Sequence, residues 1–230
     1  MNTPKHSNTP DRLHDLTQSR CGFTLIELLA VVAIIGILGS IIYAVGNRAY
    51  ISSQKAVSMS GLRDVGMAMA MYTQENDGYL PGPLYGGQSA RYAQDDRMLG
   101  YHLWSYLELP EPSNSRQPFP PLTCPLFDDL TDDAAPAYFM QQTVAMPAGN
   151  RNPWGYRRAD QTEDEGSKPQ LINLIQMANN ENTWAMRAAD AGSNNSPQAG
   201  WADKLLPEPL YSGERLHLYY DWHVEFVPVD

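Results

Sequence analysis

The chain has 230 residues, 43% of them hydrophobic, which allows one or two domains and a core of ordinary size. It carries 26 Asp+Glu against 16 Lys+Arg, a formal net charge of -10 with no basic stripe, which argues against nucleic acid as a partner. Two cysteines, Cys21 and Cys124, are too few for a disulfide framework and have no second ligand at metal spacing. Cys124, in "LTCPLF", reads as a buried small residue.

Residues 1–22 are polar, with Lys5, Arg12 and Arg20 against Asp11 and Asp15. Over residues 28–45, "LLAVVAIIGILGSIIYAV", everything is apolar or small. With residues 23–26 added, the run reaches the roughly 20 residues a helix needs to cross a bilayer. Arg48 and Lys55 follow, so the charge bias is modest, but it favours a cytoplasmic N-terminus. A secretory signal peptide would have a shorter apolar region ended by small residues, whereas this run passes unbroken into a helical pattern. An uncleaved signal anchor is the plainer reading. Neither accounts for Glu27, a carboxylate one turn into the apolar segment. An acid in hydrocarbon costs on the order of a few kcal/mol at mid-bilayer and less near the edge. No Lys or Arg lies one turn away, so a cation for Glu27 is expected from another chain or from a newly created amine.

The stretch "GFTLIELL", behind a short charged leader, resembles the processing site of type IV prepilins and type II secretion pseudopilins. The resemblance implies a prepilin peptidase that cuts between Gly22 and Phe23 and methylates the new Phe23 amine. It also implies that Glu27 meets the N-terminal amine of a neighbouring subunit as a filament assembles. The physical logic agrees, because docking on a cation removes the penalty of an unpaired acid in lipid. A glycine before the cut fits a protease cleft closely.

Helical patterning persists through "GNRAYISSQKAVSMSGLRDVGMAMAMYTQEND", where Val57, Leu62, Val65, Met69 and Tyr72 recur at spacings near three and four. This is an amphipathic stripe, which Gly78 and Pro81 end. One helix from residue 23 to about 74 would be on the order of 75–80 Å long. Many members of the resembled family have a proline roughly twenty residues into this helix; here "GSIIYAVGN" stands instead. Gly36, Gly39 and Gly46 are its points of local flexibility, each weakening a helix by about 1 kcal/mol. "SSQK", residues 52–55, fits the bare S-x-x-K pattern of some serine hydrolases, but without companion motifs it reads as exposed helix surface.

The head follows. "MYTQENDGYLPGP" is similar to the stem–head junction of major pseudopilins. "QDDRMLGYHLWSYLEL", residues 94–109, predicts a short helix with Asp at its start and Leu99, Leu103, Trp104 and Leu107 inward. "PEPSNSRQPFPPLTCP" predicts a proline-rich loop, and "AYFMQQTVAM", "LINLI" and "TWAMRA" predict short strands. "RRADQTEDEGSKPQ" reads as a polar loop. "DDLTDDA" lacks the Gly and terminal Glu of an EF-hand and reads as a solvated acidic loop. In the tail, "GERLHLYYDWHVEFVPVD", strand-like residues flank Asp221-Trp222 and predict a terminal hairpin. This tail is similar to the D-G-H-V ending of major-pseudopilin-like proteins, with Trp222 in place of Gly and Tyr211 where that ending has an upstream histidine. A positive φ costs Trp more than Gly, so a wider turn is expected. Some pseudopilin heads bind calcium through C-terminal aspartates, which makes Asp190 and Asp221 the candidate ligands. The plainer expectation is no metal and no other cofactor, with Asp221 capping its turn.

The expected fold is α+β and pilin-like, a long N-terminal helix packed on a loop-rich head with a short antiparallel sheet. The expected divisions are a cytoplasmic leader at 1–22, a transmembrane and polymerisation segment at 23–45, an amphipathic segment at 46–76 and a periplasmic head at 77–230. The resemblance implies a structural, non-enzymatic pseudopilin-like subunit of the bacterial inner membrane. Its implied partners are the bilayer, prepilin peptidase, other pilin-like subunits, and an assembly platform with its ATPase. The "DGYLP" junction and the DWHV ending favour a type II secretion pseudopilus over a type IV pilus, and Cys124, left without a partner once cleavage removes Cys21, argues against the disulfide-closed C-terminal loop of many pilins. A membrane-tethered binding module, exported by the same signal and using its many aromatics, is the reading from a different class. No nucleophile–base pair or phosphate loop supports an enzyme.

Overall fold

The structure is a computed structural model that describes residues 23–124, 135–146, 149–156, 167–178, 183–194, 198–211 and 213–229. Contacts divide the chain into two units, Met1–Asn47 and Arg48–Asp230. Helix α1, Leu25–Glu75, is continuous across that division, as the unbroken helical pattern and the lack of proline predict.

In the first unit, α1 is apolar on every side and exposed at every side chain described from Phe23 onward. It is long and apolar enough to cross a membrane. Within the second unit α1 becomes one-sided. Leu62, Val65, Ala68 and Met69 are fully buried, matching three of the five stripe positions. Tyr72 is half-buried, but Val57 is 49% exposed and its neighbour Ser58 takes the buried place. Ser58 fits there because the Tyr211 hydroxyl satisfies its own hydroxyl at 2.7 Å. The helix ends at Glu75, three residues before the expected glycine. Asp77 takes φ 53, and the Gly78 N–H closes onto the Thr73 carbonyl at 2.8 Å, a Schellman stop.

The head is built on a five-stranded antiparallel sheet. Its strands are β1 (Gly87–Gln88), β4 (Tyr138–Met140), β7 (Trp184–Ala188), β8 (Glu214–Tyr219) and β9 (Val224–Pro228), in that spatial order. Two small hairpin-like pairs accompany it, β2 (Arg91–Tyr92) with β3 (Gln117–Pro118) and β5 (Val144–Met146) with β6 (Gly149–Arg151). Register aligns Met140, Met186, Leu218 and Val224 in one row across four strands. All four are buried in the same core as Leu62, Val65 and Met69 of α1. The adjacent row, Phe139, Arg187, His217 and Glu225, therefore points to the opposite face, as period-two alternation requires. The helix approaches the sheet closely at Gly66 and the turn at residues 120–122 closely at Gly61. A Cβ at Gly66 would meet Leu218 Cδ1 at 3.1 Å and the Trp222 carbonyl oxygen at 3.2 Å.

Several sequence expectations need correction. The helix expected over 94–109 is only α2, Leu99–Leu103. Asp95 does not cap it; its carboxylate accepts the Arg97 N–H at 3.0 Å in a turn. The amide at the start of α2 is satisfied from a distant strand, Leu99 N–H donating to Gln88 Oε1 at 2.7 Å, a contact no local pattern reveals. Leu99 and Leu103 are buried as expected, with Trp104 and Leu107 half-buried against the same core. "LINLI" is not a strand but the start of α3, Ile172–Ala178. There Ile175 is buried while Asn173 and Leu174 are exposed, a helical rather than alternating pattern. Strands β4, β5 and β7 fall where "AYFMQQTVAM" and "TWAMRA" placed them. The acidic loop "DDLTDDA" and most of "RRADQTEDEGSKPQ" lie outside the described residues.

The terminal hairpin is present as β8 and β9, but its turn is tight rather than wide. Trp222 donates to the Tyr219 carbonyl at 3.0 Å and Tyr219 donates to the His223 carbonyl at 3.0 Å. That closes a three-residue loop, Tyr220-Asp221-Trp222, whose last residue sits at φ 70. Such loops end in a left-handed residue because it matches the strand twist. Trp222 occupies the glycine position and takes the glycine conformation.

Candidate functional site

The first helical residue is Leu25, which makes Thr24 the N-cap and Glu27 the third residue of α1. Their side chains close on each other's backbone. Thr24 N–H donates to Glu27 Oε2 at 2.9 Å, and Glu27 N–H donates to Thr24 Oγ1 at 3.3 Å. The Thr24 hydroxyl adds a third bond to the same Oε2 at 2.9 Å. This is a reciprocal capping box, the T-x-x-E signature that satisfies two otherwise orphaned donors at a helix start. The negative carboxylate also lies at the positive end of the helix dipole. Oε1 makes no hydrogen bond to a described residue. Phe23, one residue before the cap, is 82% exposed, and Gly22 lies outside the described residues. Sequence reasoning sought a cation for Glu27 and passed over Thr24, although the four residues "TLIE" contain the box.

The head's candidate ligands are engaged elsewhere. Asp190 is buried and forms a two-pronged ion pair with Arg215, at 2.5 Å from Nε and 2.8 Å from Nη2. Its Oδ1 also accepts the Ser193 N–H at 2.9 Å, capping a short turn. Asp221 accepts the His223 N–H at 3.2 Å and lies 2.5 Å from the His223 ring nitrogen. The β7–β8 register places Asp190 beyond the Arg187–His217 end of the ladder and Asp221 beyond its Trp184–Tyr219 end. The two aspartates are therefore not brought together. Among the described residues, no group of three or more His, Cys, Asp or Glu is placed to hold a metal ion.

Other singled-out residues have packing roles. Cys124 is a free, buried thiol 2.8 Å from the Tyr211 hydroxyl. Tyr211 thus joins α1, through Ser58, to the loop holding Cys124. Burial and the Cys124 contact push its hydroxyl's pKa well above the usual tyrosine range. Lys55 of "SSQK" pairs with Glu214 and lies over the Phe226 ring, while Ser52 is exposed. The pair has no base–nucleophile contact.

Residues 17–43 match the family model of the prokaryotic N-terminal methylation motif. The chain carries a prepilin-type signal. No curated protein and no solved structure matches the chain, and the signal match stops within the first half of α1. The prepilin signal covers both partners of the capping box and most of the apolar run. It supports a pilin- or pseudopilin-like subunit, processed by prepilin peptidase and assembled with other pilin-like subunits. Together with the exposed apolar helix it fits a single-pass inner-membrane protein.

Proposed function

We propose that this chain is a structural subunit of a type II secretion pseudopilus or a closely related filament. Prepilin peptidase removes residues 1–22, methylates the Phe23 amine, and leaves the apolar half of α1 to polymerise. The observation that carries this reading is a prepilin signal running directly into a continuous helix whose first half, among the described residues, buries no side chain. A helix that is apolar all round needs lipid or neighbouring helices. Glu27 serves as the assembly contact. Its Oε2 is taken by Thr24 while Oε1 faces no described partner, so a cationic amine from the next subunit can dock without dismantling the cap.

Two variants separate capping from docking. Glu27→Gln should keep membrane insertion and cleavage but reduce sheared filament about tenfold or more, the scale of losing one charge-assisted contact in a low-dielectric setting. Thr24→Val should leave the carboxylate charge and lower yield far less. Mass spectrometry of membrane-extracted chain should show an N-terminal, methylated Phe23. Filament yield unchanged in Glu27→Gln, or an intact leader in cells with active prepilin peptidase, would count against the assignment.

A further inference from the structure

On the face of the sheet turned away from α1, at its β1–β4–β7 side, the head holds a cavity of about 380 Å³, within the ~300–1,000 Å³ of small-ligand clefts. Four aromatic rings line it, those of Tyr85, Phe139, Trp184 and Trp201. Each is fixed by a neighbour. The Arg97 guanidinium lies 4.3 Å from the Tyr85 ring, that of Arg187 lies 4.5 Å from Trp184, and Phe139 lies 5.5 Å from Trp201. Rings held in place before binding lose little entropy when a ligand stacks on them. Between the rings stand Asp95, Arg116 and Gln142. Asp95 is engaged by Arg97 and the Tyr85 hydroxyl. Arg116 and Gln142 make no hydrogen bond or ion pair with a described residue.

We propose that this cavity binds a neutral oligosaccharide. Aromatic faces stack on the C–H faces of a sugar ring, while a free amide and a free guanidinium suit its hydroxyls. A wholly apolar ligand would cover Arg116 and Gln142 without pairing them, at a desolvation cost. An anion would face Asp95 and a chain of net charge -10. A peptide adding as a strand needs a longer edge than the two residues of β1. The site lies wholly in the head and does not depend on filament assembly.

The test uses the full chain in a sugar-free zwitterionic detergent, titrated with cellotetraose, chitotetraose, maltotetraose and tetra-alanine, and read by tryptophan fluorescence and saturation-transfer NMR. At least one sugar should bind saturably. Trp184→Ala and Trp201→Ala should weaken it about tenfold or more, the equivalent of one lost stacking contact. Because those rings also pack against neighbours, Arg116→Ala and Gln142→Ala, both at exposed positions, provide variants expected to fold normally and still weaken binding several-fold. Absence of saturable binding by all three sugars would overturn the proposal. Equal affinity in all four variants, or binding of tetra-alanine in place of sugar, would do the same.

Discussion

Single residues set the chemistry at both ends of the chain. At the start, Thr24 and Glu27 form a reciprocal cap, so the acid that looks costly in an apolar segment is part of the helix's own hydrogen bonding. At the other end, Trp222 holds φ 70, a conformation that costs a residue with a side chain roughly 1–2 kcal/mol. Its neighbours over-determine it: Asp221 ties down His223, and the Trp222 Cβ lies 3.4 Å from where a Cβ at Gly66 would be. Trp222→Ala and Trp222→Gly lose the same indole packing, but only the glycine variant escapes the backbone strain. The glycine variant should therefore be the more stable of the two by about 1 kcal/mol in urea melts. Equal stability of the two variants would remove the strain from the account. The substitution was visible in the sequence; the response to it was not. Turn width depends on whether tertiary packing can hold the strained backbone.

At the scale of elements, α1 divides by what its glycines meet. Gly36, Gly39 and Gly46 have open space where a Cβ would stand, while a Cβ at Gly61 would collide with the Pro121 carbonyl oxygen. Gly36→Ala should be neutral or slightly stabilising to the helix, by up to about 1 kcal/mol from propensity alone. Gly61→Ala should destabilise the head by about 1–3 kcal/mol, because backbone rather than a flexible side chain must yield. Circular-dichroism melts of the full chain in detergent would show it, and an unchanged head transition in Gly61→Ala would contradict the close packing. Long periodic elements were legible from sequence: α1 to within two residues, and the β8–β9 hairpin. Short elements were not. Strand β1 has two residues and β4 three, too few to show a period, and "LINLI" is equally apolar as strand or helix until its neighbours choose.

For the whole molecule, the sheet's outer face links stability to pH. His217 sits between β7 and β9 with Arg187, Arg215 and Glu225 facing it. Burial and then the two arginines lower its pKa from 6.5 to about 4, with Glu225 opposing. Burial lowers His102 as well. Unfolding releases both to bind protons more readily, so the unfolded chain holds more protons between about pH 4 and 6.5. Stability is then fully present above about pH 6.5 and declines as pH falls toward 4. Urea midpoints should drop between pH 7.5 and pH 5, and the drop should shrink in His217→Gln. An undiminished drop in that variant would place the pH dependence elsewhere.

The sequence by itself determined the prepilin signal, the apolar span, the continuous stem and the terminal hairpin. Each of these is written in consecutive residues, where periodicity, capping chemistry and composition act locally. Only the tertiary structure decided that Asp190 belongs to Arg215, that Gln88 caps α2, and that Tyr85, Trp184 and Trp201 share one cavity. Those contacts join residues from about ten to more than a hundred positions apart. No sequence spacing encodes them; they exist because burying one face of α1 against the sheet fixes which strands lie side by side.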